Sequence, residues 1–245
     1  LKTTSLCFVV FLFLTNFSHN LVSMAKQKIS WGLHLIELIV VIIGISIAFA
    51  LEGWSESNKR NELEESYLAS IEVDIDKDIN DLQKIVDSTT VILGYVSEVF
   101  QFYYQKAPVE YYKRHHVTSS YLATYFYPQN GTYLSLMNSG DINVIKDFEL
   151  KAALSDLYNV KYKELERMDQ VIKNLADNRI QSYMIDNIHF SARRDGIEDN
   201  TPLTTNKAFN LLGSFYNLLS SRQQEYQAMI TRCKELKVMI GNLKN

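Results

Sequence analysis

The chain has 245 residues, enough for one sizeable domain or two small ones. Hydrophobic residues make up 47%, ordinary for a globular chain, so any membrane character must be local. Only 9 Gly and 3 Pro argue against a turn-rich β fold, and a formal net charge of −3 argues against a general nucleic-acid binder.

The chain opens on Leu, and the run Leu6–Leu14 is nine apolar residues behind a single lysine. That is the length of a signal-peptide core and too short to span a bilayer. No small-x-small cleavage site follows it, so residues 1–23 read as an upstream extension ahead of a start at Met24, with a signal-like segment as the alternative. Residues 24–30 form a short basic leader carrying Lys26 and Lys28.

The segment Trp31–Trp54, WGLHLIELIVVIIGISIAFALEGW, is long and apolar enough to be a transmembrane helix. At ~1.5 Å per residue it covers ~35 Å, against a hydrocarbon core of ~30 Å. The chain's two tryptophans stand at its ends, where indole rings prefer the headgroup zone, so Trp31 and Trp54 are the expected interface anchors. Lys59 and Arg60 follow it amid glutamates, so the positive charges flanking the span tie. The leader lysines tip the reading toward an inside amino terminus and a bulk domain in the periplasm.

Past Trp54, residues 55–245 read as a soluble helical-bundle domain. Leu68, Ile71, Ile75, Ile79, Leu82, Val86, Leu93, Val96 and Phe100 recur at helical spacing on one stalk helix. Gly53 is a plausible joint, and a coiled coil and a bundle core both fit the stripe. Asp78 and Thr89 break a strict heptad there. From Glu52 to Asp87 there are 11 acidic and 4 basic residues, read here as a solvated helix face.

Pro108 ends the stalk. Residues 102–133 are rich in aromatics, with Tyr103, Tyr104, Tyr111, Tyr112, Tyr121, Tyr125, Phe126, Tyr127 and Tyr133. After a turn at 129–131, a short helix Thr132–Ser139 closes on Gly140 in a left-handed cap, with Ile142 or Val144 folding back. Asp147 is the expected N-cap of a long helix striped with Leu150, Ala153, Leu154, Leu157, Leu165, Met168, Ile172 and Leu175. A polar loop, 191–205, leads to a last helix near Asn206–Leu243. The sum is an all-α fold: one transmembrane helix, then an elongated antiparallel bundle with a long stalk helix.

The run IELIVVIIGISIAFALEGWSES, continuing into SYLASIEVDIDKDINDL, resembles a family of bacterial single-pass membrane proteins common in the Bacteroidetes group, which carries a domain of unknown function. Its pattern of Glu, an Ile/Val run, Gly, Ala and Trp maps here onto Glu37, Gly44, Ala48 and Trp54. TYLSLMNSGDINVIKDFELKAALSDLY, residues 132–158, resembles its middle block. The resemblance implies the architecture and the start at Met24, and it implies no activity.

Glu37 is the ionisable acid inside the apolar run, ~9 Å from Trp31. An acid at such depth costs on the order of 2–3 kcal/mol. Seven residues rotate a helix by ~−20° and eleven by ~+20°, so Glu37, Gly44 and Ala48 share a face. A carboxylate beside a Gly-x-x-x-Ala pair suits close approach of another membrane helix, from a partner or a second copy in a homo-oligomer. The alternatives are a snorkelling Glu37 and proton or ion handling. His34 on the same face makes a metal pair conceivable but insufficient.

Tyr111, Tyr112, His115 and His116 form a basic-aromatic patch, a candidate binding cap or pH-sensitive contact; the alternative is ordinary bundle packing. Cys7 and Cys233 stand alone, and the acidic run Glu72, Asp74, Asp76, Asp78, Asp81 lacks the glycine turn and closing glutamate of a calcium loop. No phosphate loop, nucleophile elbow or HExxH motif occurs. The sequence therefore predicts no catalysis, no cofactor, no metal and no nucleic-acid partner. Its expected partners are the lipid bilayer and another membrane helix, for an envelope scaffold or accessory subunit. A periplasmic sensor signalling through a membrane partner is the alternative.

Overall fold

The computed structural model describes residues 31–192 and 195–243. The extension 1–23, the leader 24–30 and Cys7 lie outside the described residues. Within them the protein is all-α, with a single isolated bridge between Phe190 and Ile197 and no strand. The chain divides into two compact units, Leu1–Ser57 and Asn58–Asn245.

Helix α1 runs from Trp31 to Gln105, 75 residues without interruption at Gly53. In the first unit its side chains are exposed from Leu35 through Trp54, among them eleven Leu, Ile and Val residues between 35 and 51. This helix is long and apolar enough to cross a membrane, with a mean hydropathy of 2.5 in its most apolar stretch.

In the second unit the buried side of α1 is Leu68, Ile71, Ile75, Asp78, Leu82, Ile85, Val86, Thr89, Val96 and Val99. Steps of three, four and seven among them keep the heptad phase through both polar positions, while Ile79, Leu93 and Phe100 are only partly buried. Asp78 and Thr89 are therefore buried members of the stripe, retained because the fold supplies them with partners.

The end of α1 is a Schellman turn. Ala107 N–H donates to Phe102 O at 2.8 Å and Lys106 N–H to Tyr103 O at 3.2 Å. Lys106 sits in the left-handed region, at φ +53°, where glycine is the usual occupant. Pro108 follows and keeps the helix from resuming.

Residues 106–147 then return along α1. His116 meets Glu98, Thr124 meets Ser88, Gln129 meets Asp78, Thr132 meets Asp74, Asp141 meets Tyr67 and Lys146 meets Glu64. The descending partner numbers show an antiparallel segment, mostly extended, with short helices α2 (Arg114–Thr118) and α3 (Gly131–Ser139). Gly140 closes α3 at φ +80° as the sequence predicts, and Ile142 packs partly buried against the core. This segment also corrects the view of the acidic stalk as a merely solvated face. Its carboxylates Glu64, Asp74 and Asp78 bind the returning chain, and Asp76 binds Lys237 at 2.5 Å.

Asp147 caps the next helix by accepting the Leu150 N–H at 2.6 Å. That helix is α4 (Phe148–Asp156), a π turn at Leu157–Lys161, α5 (Tyr162–Leu175), a second π turn at Ala176–Gln181, and α6 (Ser182–Asn187). Each π turn inserts a residue and rephases the apolar stripe. Tyr158, Tyr162, Ile180 and Tyr183 thus join Leu150, Leu154, Leu165 and Ile172 in the interior. Helix α7, Asn206–Leu243, returns antiparallel. Up, back, up and back gives the antiparallel bundle, with an irregular segment as one of its four members.

Two apolar clusters fill it. One joins α1 residues 68–86 with Tyr133, Leu136, Leu154, Tyr162 and Leu236. The other joins Val96 and Val99 with Tyr112, Ile172, Met184, Leu212 and Phe215. Truncating a fully buried side chain such as Phe215 to Ala would cost about 3–5 kcal/mol.

Candidate functional site

Glu37, Gly44 and Ala48 all lie on α1 in the first unit, so helical geometry keeps them on one face. Glu37 and Ala48 are exposed, and a Cβ added at Gly44 would meet no atom within 4 Å. His34 Nδ1 is 3.2 Å from Glu37 Oε2. Trp31 and Trp54 are exposed at 83% and 67%, at the two ends of the apolar run. The face is smooth at Gly44 and polar at Glu37.

The basic-aromatic patch divides. Tyr112 and His116 are buried, whereas Tyr111 is exposed and His115 half-buried. Phe102 is the hub: its ring is edge-on to Tyr111 at 5.7 Å, to Tyr112 at 5.3 Å and to His116 at 5.3 Å. His115 packs on Tyr95 at 4.5 Å. Residues Tyr121–Tyr133 of the aromatic stretch instead run down the bundle beside α1.

Glu98, His115 and His116 bring three ligand-type atoms within 4.8 Å of one another, and these are the residues that could hold a metal. The hydrogen bonds oppose it. The Lys113 N–H donates to His116 Nδ1 at 2.9 Å, which places the proton of the neutral ring on Nε2. That proton is aimed at Glu98 Oε2, 2.7 Å away. A cation on Nε2 would have to displace it and give up the bond that starts α2. Burial lowers the His116 pKa below the ordinary histidine value, with nearby His115 adding to the effect and the Glu98 hydrogen bond opposing it. His116 is thus a neutral link between two elements.

Two buried polar clusters were not assembled by sequence spacing. Arg222, fully buried, donates from Nη2 to Thr89 Oγ1 at 2.9 Å, and from Nη1 to Thr124 O at 2.9 Å and Asp169 Oδ1 at 3.3 Å. Asp169 Oδ2 also accepts the Tyr226 hydroxyl at 2.6 Å and the Phe126 N–H at 3.0 Å. Asp78 accepts Gln129 N–H at 2.8 Å and the Tyr162 hydroxyl at 2.7 Å. Burial raises the Asp78 carboxyl to about 6, and burial likewise keeps Tyr162 protonated and pushes the Cys233 thiol up to about 11. These bonds hold segment 124–129 and α7 in place, and the Tyr162 hydroxyl ties α5 to α1, so the clusters read as structural.

One concave feature borders the predicted cap. A groove of about 870 Å³ lies between the end of α1 and the loop before α7, bordered by Tyr103, Tyr104, Lys106, Glu198 and Asp199 over Phe102 and Tyr112. Sequence reasoning found the tyrosines and missed Lys106 and the two acids, because the acids lie about 95 positions further on. The polar composition of the loop 191–205 was the sole signal.

No curated protein matches the chain, and no solved structure does. Residues 37–199 match the model of a family of unknown function, DUF6090, and this covers most of the chain, including Glu37, the stalk, the returning segment and the π-interrupted helix. The chain belongs to that family of unknown function.

Proposed function

We propose that this protein is a non-catalytic, single-pass membrane protein whose helical bundle works through protein–protein contacts, as a scaffold or accessory subunit of the bacterial envelope. The observation that carries this reading is the exposed apolar run of α1 between Trp31 and Trp54, with Glu37, Gly44 and Ala48 on one face. Water would not tolerate so continuous an apolar surface, and a bilayer would. Within a bilayer, a carboxyl group gains most where another helix supplies its hydrogen-bond partner, and Gly44 lets that helix come close. The occupant is a second copy or the helix of a partner. In this reading the carboxy-terminal bundle is periplasmic, with the two lysines ahead of the span, Lys26 and Lys28, as its support.

The test compares the native span with Glu37→Leu and Gly44→Leu in a membrane-helix association assay, alongside crosslinked capture from native membranes. Both variants should weaken association. Self-association and partner capture that stay at native levels in both would refute the docking face. A second reading, a ligand-binding module that signals through a membrane partner, is favoured by the groove at the end of α1.

A further inference from the structure

We propose that the groove at the end of α1 binds a small zwitterion, a free α-amino acid with an apolar or aromatic side chain. The proposal rests on the second reading above and specifies its ligand class. The volume of about 870 Å³ is in the range of small-molecule sites.

Both walls are built before a ligand arrives. The Schellman turn at Lys106 and Ala107 fixes one wall. The other is anchored by buried Ile197 and Leu203, and by the Tyr183 hydroxyl, which donates to Pro202 O at 2.7 Å. Asn200 Nδ2 joins the walls, donating to Ala107 O at 3.2 Å. Little ordering therefore opposes binding.

Charge selects the class. Lys106 supplies an ammonium, and Glu198 and Asp199 supply carboxylates. Asp199 takes the Thr201 N–H at 2.9 Å and the Thr201 hydroxyl at 2.6 Å, both on Oδ1. A simple amine would leave Lys106 unmatched, and a simple acid would face two carboxylates. A zwitterion gives each charged group a counterpart. The side chain of the ligand finds Tyr104, 69% exposed, standing edge-on to Tyr103 at 5.4 Å. Rings in that arrangement leave faces open for apolar or aromatic contact.

The full chain in lipid nanodiscs is titrated calorimetrically with L-phenylalanine, L-tyrosine and L-leucine. N-acetyl-L-phenylalanine and phenethylamine serve as analogues that each lack one charge. Saturable binding of at least one amino acid is expected, with each analogue about five- to tenfold weaker than L-phenylalanine, as for loss of one partly exposed charge contact. Lys106→Gly should weaken L-phenylalanine by a similar factor and leave phenethylamine unchanged. Because glycine prefers the left-handed conformation of residue 106, this variant should melt no lower than the native chain. Glu198→Gln should weaken L-phenylalanine and leave the N-acetyl analogue unchanged.

An analogue that binds as tightly as L-phenylalanine overturns the zwitterion and leaves the ligand-module reading standing. L-Phenylalanine affinity unchanged in both variants overturns the location. No saturable binding of any probe up to about 10 mM overturns the proposal and removes its support for the second reading.

Discussion

Asp78→Asn offers the sharpest test of how the returning segment is held. The carboxyl is fully buried on α1, with one oxygen on the Gln129 N–H and the other on the Tyr162 hydroxyl. Burial is the largest influence and raises its pKa from 3.8 to about 6; the two hydrogen bonds oppose this, and neighbouring Asp74 and Asp81 add to it. A carboxyl whose folded value lies above its unfolded one stabilises fully below pH ~4, and this contribution is lost as pH rises through ~6. Two pKa units correspond to about 3 kcal/mol. Asn presents the same acceptor to Gln129, and its amide can donate to the Tyr162 oxygen while that hydroxyl turns to Cys233 Sγ, 3.5 Å away. The two proteins should therefore be nearly equal at pH 4, and Asp78→Asn should be more stable by about 2–3 kcal/mol at pH 7.5. Urea unfolding of the Asn58–Asn245 unit, followed by far-ultraviolet circular dichroism, reads this directly, since every buried side chain in the described residues lies from Leu68 onward. A stability difference that stays constant from pH 4 to 7.5 would refute the assignment of Asp78 as a buried, penalised carboxylate.

Other expectations follow from the same contacts. His116 has a lowered pKa, so its contribution is complete above about 6.5 and declines as pH falls below that value. An NMR titration should show it protonating below the ordinary histidine range, and a midpoint at or above 6.5 would contradict the burial argument. Arg222→Met leaves Asp169 buried without its counter-charge and should cost about 3–5 kcal/mol in urea unfolding; a loss under about 1 kcal/mol would mean the pair is solvated in solution. Lys106→Gly relieves a left-handed lysine and should raise stability by about 1 kcal/mol, with a loss of that size as the contrary result.

Much of the fold was legible because its signals are local. Asp147 as N-cap, Gly140 as left-handed cap and the span of the last helix depend on a few adjacent residues, and the structure has each where the sequence places it. The heptad breaks at Asp78 and Thr89 were visible too, but their meaning was not. Their partners are Gln129 and Tyr162 in one case and Arg222 in the other, some 50 to 130 positions away. The tyrosines form one stretch because they are close in sequence. The mostly extended return from Tyr121 to Tyr133 spreads them down the bundle. The π turns escaped because no residue type marks them.

By itself the sequence determined the apolar run from Trp31 to Trp54, the shared face of Glu37, Gly44 and Ala48, and the helical character of the rest. Each follows from hydropathy and helical period, which act over a few turns. Tertiary structure alone decided that the acidic stalk grips a returning segment, that His116 is a neutral link, and that Lys106, Glu198 and Asp199 line one groove. Those depend on which distant segments burial brings together, and no local spacing encodes that choice.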